Sequence, residues 1–460
     1  MGGALTEPFQ LEEQHEDLVE VSSIKKKFFR PQASTVDDGI HEHAGVYTES
    51  GKYIGVEATI NLWKPKFQGK DFSLSQIWLV EGSGIVDTNA IEVGWISPDG
   101  DIIDCVLVSH QPAFDHPLLK NHTIQMRPNY HPEELFGDGN KKSDFEPYTE
   151  DDITKPVIQL WHLNGRCPKG TVPVRRTKQE DINKTSSGNS FVKKRRKSFS
   201  QLPLATKLLN PTAHEHSYAT VQSNVYYGTQ ATINVWNPPV QDSNEFSLSQ
   251  IWILGGPDSN LNTIEAGWIV YPYLFGDYNT RLFIYWTSDD YQSTGCYNLQ
   301  CSGFVQTNNN VALGGTITPF STYEGSQFEI TILVWKDPKQ NLWWLKYGTE
   351  IIGYWPTSLF QYLTESASLI EWGGEIINSK LNGQHTTTKM GSGHFAEEGY
   401  QGASYFRNLQ VVDGSNTLRS PGVITVIAEQ PNCYNILLQN NSDWGDYFFY
   451  GGPGRNPNCL

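Results

Sequence analysis

Between Leu204 and Leu460 the chain alternates apolar and polar residues in short runs, the period-2 signature of strands that bury one face. In Ala231-Thr232-Ile233-Asn234-Val235-Trp236 the Ala, Ile and Val side chains fall on one side and Thr, Asn and Trp on the other. The same pattern runs through Leu282 to Trp286, Phe328 to Trp335 and Asn341 to Tyr347. Turn-forming clusters, Gly255-Gly256-Pro257-Asp258 and Lys336-Asp337-Pro338-Lys339 among them, separate the runs at short spacing. No stretch keeps a helical period; Leu359 to Leu363 suffices for a turn or two. The expected fold is all-β, an antiparallel two-sheet β-sandwich over residues 204–460.

The chain also repeats itself. His41-Glu42-His43 returns as His214-Glu215-His216, and Ala58 to Trp63 returns as Ala231 to Trp236. Phe72 to Trp78 returns as Phe246 to Trp252, and Ile91 to Ile96 as Ile264 to Ile269. The offset stays at 173 or 174, so residues 34–97 read as a truncated duplicate of the start of the C-terminal domain. Residues 1–33 remain unassigned. Solenoids need three or more tandem units, which this chain lacks. A partial copy left by gene rearrangement accounts for the duplicate more simply than an added working module, because a fragment of a sandwich leaves unpaired edges.

Between the copies the texture changes. Residues 98–178 are charged and Pro-rich, with one apolar stretch from Ile102 to Val108 and the run Gln111-Pro112-Ala113-Phe114-Asp115-His116-Pro117. A smaller α/β or irregular domain is expected there. Residues 179–203 are polar and contain the basic cluster Lys193 to Lys197. A solvated, protease-accessible linker is the commoner use of such a run than a nuclear signal.

Composition sharpens the picture. Fourteen Trp, 22 Tyr and 21 Phe against 3 Met agree with a strand-rich fold. The net charge is −16, and residues 204–460 carry 21 acidic against 10 basic side chains. That balance excludes nucleic acid or an anionic membrane as partner, and it suits work in acid, where self-repulsion falls. No run of 18 apolar residues exists to span a membrane. The first residues lack the basic-then-apolar pattern of a signal peptide. Six cysteines without a CxxC pair are compatible with disulfides and an oxidising compartment, and sequons at Asn121, Asn183 and Asn440 point the same way. The cysteines outweigh the missing signal.

No GxSxG, HExxH or P-loop occurs in the C-terminal domain, so its chemistry has to come from carboxylates. Two acids stand among small and aromatic neighbours. Glu265 lies in Thr263-Ile264-Glu265-Ala266-Gly267-Trp268, on the strand face opposite Ile264. Glu375 lies in Leu369-Ile370-Glu371-Trp372-Gly373-Gly374-Glu375-Ile376, where Ile370, Trp372 and Ile376 are expected to wall it. Two carboxylates that meet across a cleft share a proton, one taking a proton from water while the other donates to a carbonyl. Three other readings stand beside this one. His214 and His216 share a strand face as a metal pair would, although no third and fourth ligand is evident. An aromatic-rich sandwich can bind glycans through Trp343, Trp344 and Trp444. A pseudopeptidase would keep the fold and stay idle.

As a set, Phe246 to Trp252, Thr263 to Trp268, Cys296 with Cys301, Glu371 to Glu375, and Gly451 to Arg455 with Cys459 resemble the neprosin family of plant glutamic peptidases. Residues 98–178 resemble that family's activation peptide through Asp104-Cys105, Gln111 to Lys120 and Leu160 to Pro173. The resemblance implies Glu265 and Glu375 as the catalytic pair and Gln250 as a hydrogen-bonding helper that binds substrate in the cleft. It implies disulfides Cys296–Cys301 and Cys433–Cys459, with Cys105–Cys167 a further pair within the activation peptide. It also implies a secreted or vacuolar zymogen, activated in acid, that acts as a monomer without metal or cofactor on proline-containing peptides and cuts after proline. The chain departs from the family's order by beginning with the truncated copy. Glu92 matches Glu265 there, but no partner for Glu375 precedes Ser97.

Overall fold

The computed structural model describes residues 101, 103–134, 158–164, 166–176, 213–380 and 384–460, together with the backbone of four earlier strands. The expected linker at 179–203 and its processing site lie outside the described residues. The chain forms two compact units, Met1–Asp99 and Gly100–Leu460. In the first, β1 (Lys25–Phe29) pairs with β2 (His43–Tyr47) and β3 (Ser73–Glu81) with β4 (Asn89–Ser97), both antiparallel. The β3–β4 register sets Trp78 opposite Glu92 and Gln76 opposite Gly94.

The second unit opens with short strands β5 (Ile103–Leu107), β6 (Glu133–Glu134), β7 (Ile158–Gln159) and β8 (Thr171–Arg175), with 3₁₀ turns following β5 and β7. Then come β9 (Ala213–Tyr226), β10 (Gly228–Asn234), β11 (Ser247–Gly255), β12 (Asn262–Val270), β13 (Arg281–Thr287), β14 (Val305–Gln306), β15 (Ile317–Thr318) and β16 (Glu329–Asp337). The chain continues through β17 (Leu342–Tyr347), β18 (Glu350–Pro356), β19 (Ala367–Asn378), β20 (Ser404–Val412), β21 (Thr417–Arg419), β22 (Thr425–Ala428), β23 (Asn435–Asn441) and β24 (Gly445–Gly451).

These strands build the expected sandwich. One sheet runs β13-β12-β11-β19-β9-β22; the other runs β14-β18-β17-β16-β10-β20-β21-β6, with β24 and β23 branching from β20. Alternation decides which side chains meet between the sheets. Ile251, Ile253, Ile264, Trp268 and Trp372 of the first sheet join Ile233, Ile332, Val334, Ile352 and Phe406 of the second in one core. Gly228 marks the switch from β9 into β10; its φ is 147°, and a Cβ there would lie 2.0 Å from the Val334 carbonyl oxygen. The turn expected near Leu359 is a single 3₁₀ turn, Thr357–Leu359.

Trp343 and Trp344 are fully buried, so they pack the core and are not sugar-stacking platforms. Their burial follows from a β17 strand covered on both sides. Ile370, Trp372 and Ile376 also correct an expectation. They alternate with Glu371, Gly373 and Glu375 along β19, so they point into the core and form no wall beside Glu375.

The segment ahead of the sandwich docks on it irregularly. β5 pairs with β8, and the Cys105–Cys167 disulfide ties the two. β7 adds to β15, and β6 adds in parallel to β21. The run picked out by sequence forms a plug: Ala113 and Leu119 enter the main core. Gln111 pairs with the edge strand β14 as a backbone would. Its Oε1 accepts from Gln306 N at 2.7 Å and its Nε2 donates to Gln306 O at 2.9 Å. An edge otherwise open to pairing is thereby closed. At the other end Asp101 forms ion pairs with buried Arg281 and with Arg175, and accepts from Thr316 N. Disulfides Cys296–Cys301 and Cys433–Cys459 complete the covalent frame.

Candidate active site

The site lies on the face of the first sheet turned away from the core, and the register of three strands assembles it. On the central strand β11, Gln250 stands opposite Gly267 of β12 on one side and Gly373 of β19 on the other. Trp252 stands opposite Glu265, and Leu248 opposite Glu375. Side chains paired across strands share a face, so both glutamates flank Gln250 diagonally. The two glycines keep the positions beside Gln250 free of side chains. A Cβ at Gly267 would lie 1.9 Å from Ser249 O, and one at Gly373 would lie 2.3 Å from Ser217 O.

Gln250 Nε2 donates to Glu265 Oε2 at 2.9 Å and reaches Glu375 Oε2 at 3.4 Å. One amide thus reaches both carboxylates, 110 residues apart in the chain. All three side chains are fully buried. Gln250 Oε1 has no hydrogen-bond partner among the described residues. A buried acceptor left in this way is rare and marks a place where a ligand group fits.

The two carboxylates have different company. Glu265 Oε1 accepts from Tyr291 Oη at 2.7 Å and Thr263 Oγ1 at 3.0 Å, both neutral hydroxyls. Tyr291 follows Asp290 in a turn where both residues have positive φ, 60° and 52°, unusual for such side chains. The Asp289 carboxylate holds that turn by accepting from the side-chain hydroxyls of Ser293 and Thr294 and then from their backbone N–H groups. These bonds outweigh burial, the largest opposing influence, and lower the Asp289 pKa to about 2.

Glu375 faces imidazoles. His214 Nδ1 lies 2.6 Å and His216 Nε2 3.6 Å from its Oε1. Phe246, Leu248, Phe283, Tyr285 and Tyr297 supply apolar and aromatic surface on the same face. Burial, followed by the influence of Tyr271, Glu375, Tyr285 and Glu265, pushes the Tyr297 phenol well above its usual range. It therefore remains neutral beside the pair.

The three residues expected from sequence, Glu265, Glu375 and Gln250, are brought together. His214 and His216, weighed only as an alternative metal pair, turn to Glu375. Thr263 was recoverable, since it sits two residues before Glu265 and so shares its face. Tyr291 and Glu429, the latter just beyond β22, carried no sequence signal. Among the described residues, His385, Cys433 and Cys459 have ligand atoms close enough for a metal, but both cysteines are bonded in a disulfide.

The family model Neprosin matches residues 243–453, and Neprosin activation peptide matches residues 95–222. Similar solved structures include scytalido-glutamic peptidase with a peptide-based transition-state analogue, at 11% identity, 53% of this chain, 99% of that chain and TM-score 0.28. Another is SCP-B, of the eqolisin family of peptidases, with the tripeptide Ala-Ile-His, at 11% identity, 53% and 99% coverage and TM-score 0.28. A homodimeric agglutinin from chicken liver matches at 12% identity, 34% and 92% coverage and TM-score 0.19.

Proposed function

This chain belongs to the neprosin family of peptidases and carries that family's activation peptide, and on that premise we propose that it is a glutamic endopeptidase made as a zymogen, hydrolysing peptide bonds after proline at acid pH. The observation that carries this reading is the Gln250 amide spanning Glu265 and Glu375. Two buried carboxylates around one donor share a proton, a state that acid favours. Glu375, facing imidazoles, suits the ionised role and takes a proton from the attacking water. Glu265, among neutral hydroxyls, suits the donor role. It protonates the scissile carbonyl oxygen as the water oxygen bonds to its carbon. The C–N bond then breaks, and the leaving nitrogen takes up the proton held on Glu375 while the diol returns one to Glu265. Gln250 Oε1 is available to accept from a substrate N–H.

Proline specificity rests on the family alone. Three disulfides support an oxidising compartment, secreted or vacuolar, and the protein is proposed to act as a monomer. The test is incubation of the full-length protein with a peptide containing one internal proline at low pH, with products identified by mass. Cleavage on the carboxyl side of proline is expected. An intact peptide, or cuts only at other residues, contradicts the reading.

A further inference from the structure

His216 occupies a position that the two-glutamate mechanism does not use. It stands directly opposite Glu375 in the β9–β19 register, so the two side chains share a face. Its other side is held by Glu429. One carboxylate oxygen of Glu429, Oε2, accepts from both His216 Nδ1 at 2.8 Å and His216 N at 2.9 Å. Glu429 N in turn donates to His216 O at 3.0 Å. The rings of Tyr218 and Trp252 lie about the imidazole at 6.2 Å. This three-point clamp fixes the ring with Nδ1 toward Glu429 and Nε2 toward Glu375.

We propose that Glu429 and His216 are positioning residues that hold an imidazolium against Glu375, so that Glu375 remains a carboxylate in acid and can serve as the base there. This deepens the proposed peptidase reading and rests on it. The arrangement is carboxylate–imidazole–carboxylate, and each ring nitrogen needs its proton to face an acceptor. Burial, the largest single influence, opposes the charge on His216, but Glu375 and Glu429 outweigh it and push the pKa up to about 10. Other polar groups that face Glu375 include His214 from β9, Gln250 from β11 and, beyond it, Glu265 from β12. Glu371 lies on the same face of β19, opposite Trp252. Tyr297 is near enough to both glutamates for each to raise its pKa, and it stays neutral. His216 is thus a cation that an adjoining carboxylate, Glu429, holds in place for Glu375.

An opposite charge within a few ångström typically lowers a carboxylate's pKa by about one to three units, so losing it moves the acid limb of activity to higher pH. The experiment measures kcat against pH for peptide hydrolysis by acid-incubated full-length protein, comparing wild type with Glu429→Gln, Glu429→Asp and His216→Gln. Glu429→Gln is expected to shift the acid limb upward by about one pH unit, with activity recovered at higher pH. Glu429→Asp, which keeps the charge, should restore most of the wild-type profile. A profile for Glu429→Gln that is merely scaled down, with its acid limb unmoved, overturns the proposal. Nitrogen-15 NMR of the histidine rings gives a readout that needs no activity. A doubly protonated His216 at pH 8 supports the proposal, and a neutral ring there refutes it even if His216→Gln does not fold. Absence of wild-type hydrolysis alongside a charged ring would refute the peptidase reading instead.

Discussion

Gly267 shows how far a single hydrogen in place of a side chain shapes this site. Its position beside Gln250 leaves no space for a methyl group, because the obstacle is the Ser249 backbone oxygen at 1.9 Å and not a movable side chain. Gly267→Ala is expected to cost about 1–3 kcal/mol, seen as a lowered Tm, since β11 and β12 would have to separate. An unchanged Tm would contradict the close strand approach. Glu265 and Glu375 stood out in sequence because their motifs are dense in Gly, Trp and carboxylate, whereas Gln250 came only from the family resemblance. His214, His216 and Glu429 were not legible in this role. Their contacts with Glu375 and with each other arise from pairings across 161 and 213 residues, which no local spacing encodes. The walls assigned to Glu375 failed for a simpler reason: strand alternation sends Ile370, Trp372 and Ile376 to the opposite face.

Among the elements, the period-2 runs located β10, β13, β16 and β17, while the other strands and the pairing order had to come from the structure. Alternation says which face a residue occupies and nothing about which strand lies beside it. The activation segment was legible only as a motif. Its use of Gln111 as a surrogate strand partner and of Asp101 as an anchor depends on long-range contacts. Burial alone would raise the Asp101 pKa, but Arg281, the Thr316 N–H and Arg175 outweigh it and hold the carboxyl below its usual range. A carboxyl depressed on folding adds stability above its unfolded pKa and loses it as pH falls through the folded one. The Asp101 anchor therefore survives mild acid and weakens only below the ordinary carboxylate range. Asp101→Asn leaves Arg281 partly uncompensated, a loss of about 3 kcal/mol for such buried pairs. The variant should be trimmed faster than wild type in mild acid, followed by mass over time. Equal trimming rates would contradict the anchor.

At the scale of the molecule, an acidic, disulfide-linked sandwich places two glutamates from β12 and β19 on either side of one glutamine from β11. The all-β class and the sandwich were legible because strand period, turn chemistry and aromatic content agree on one answer. In the segment read as a duplicate, the β3–β4 hairpin pairs Trp78 with Glu92 as β11 and β12 pair Trp252 with Glu265. It carries no counterpart of Glu375, so the catalytic claim rests on the second unit. The most direct measurement is kcat/KM for a proline-containing peptide at acid pH in wild type, Glu265→Gln and Glu375→Gln, with circular dichroism as a check on folding. Both variants should remain folded and lose at least about a thousandfold in kcat/KM, roughly 4 kcal/mol of transition-state stabilisation. A folded variant of either kind that keeps near-wild-type kcat/KM would contradict the paired-glutamate mechanism.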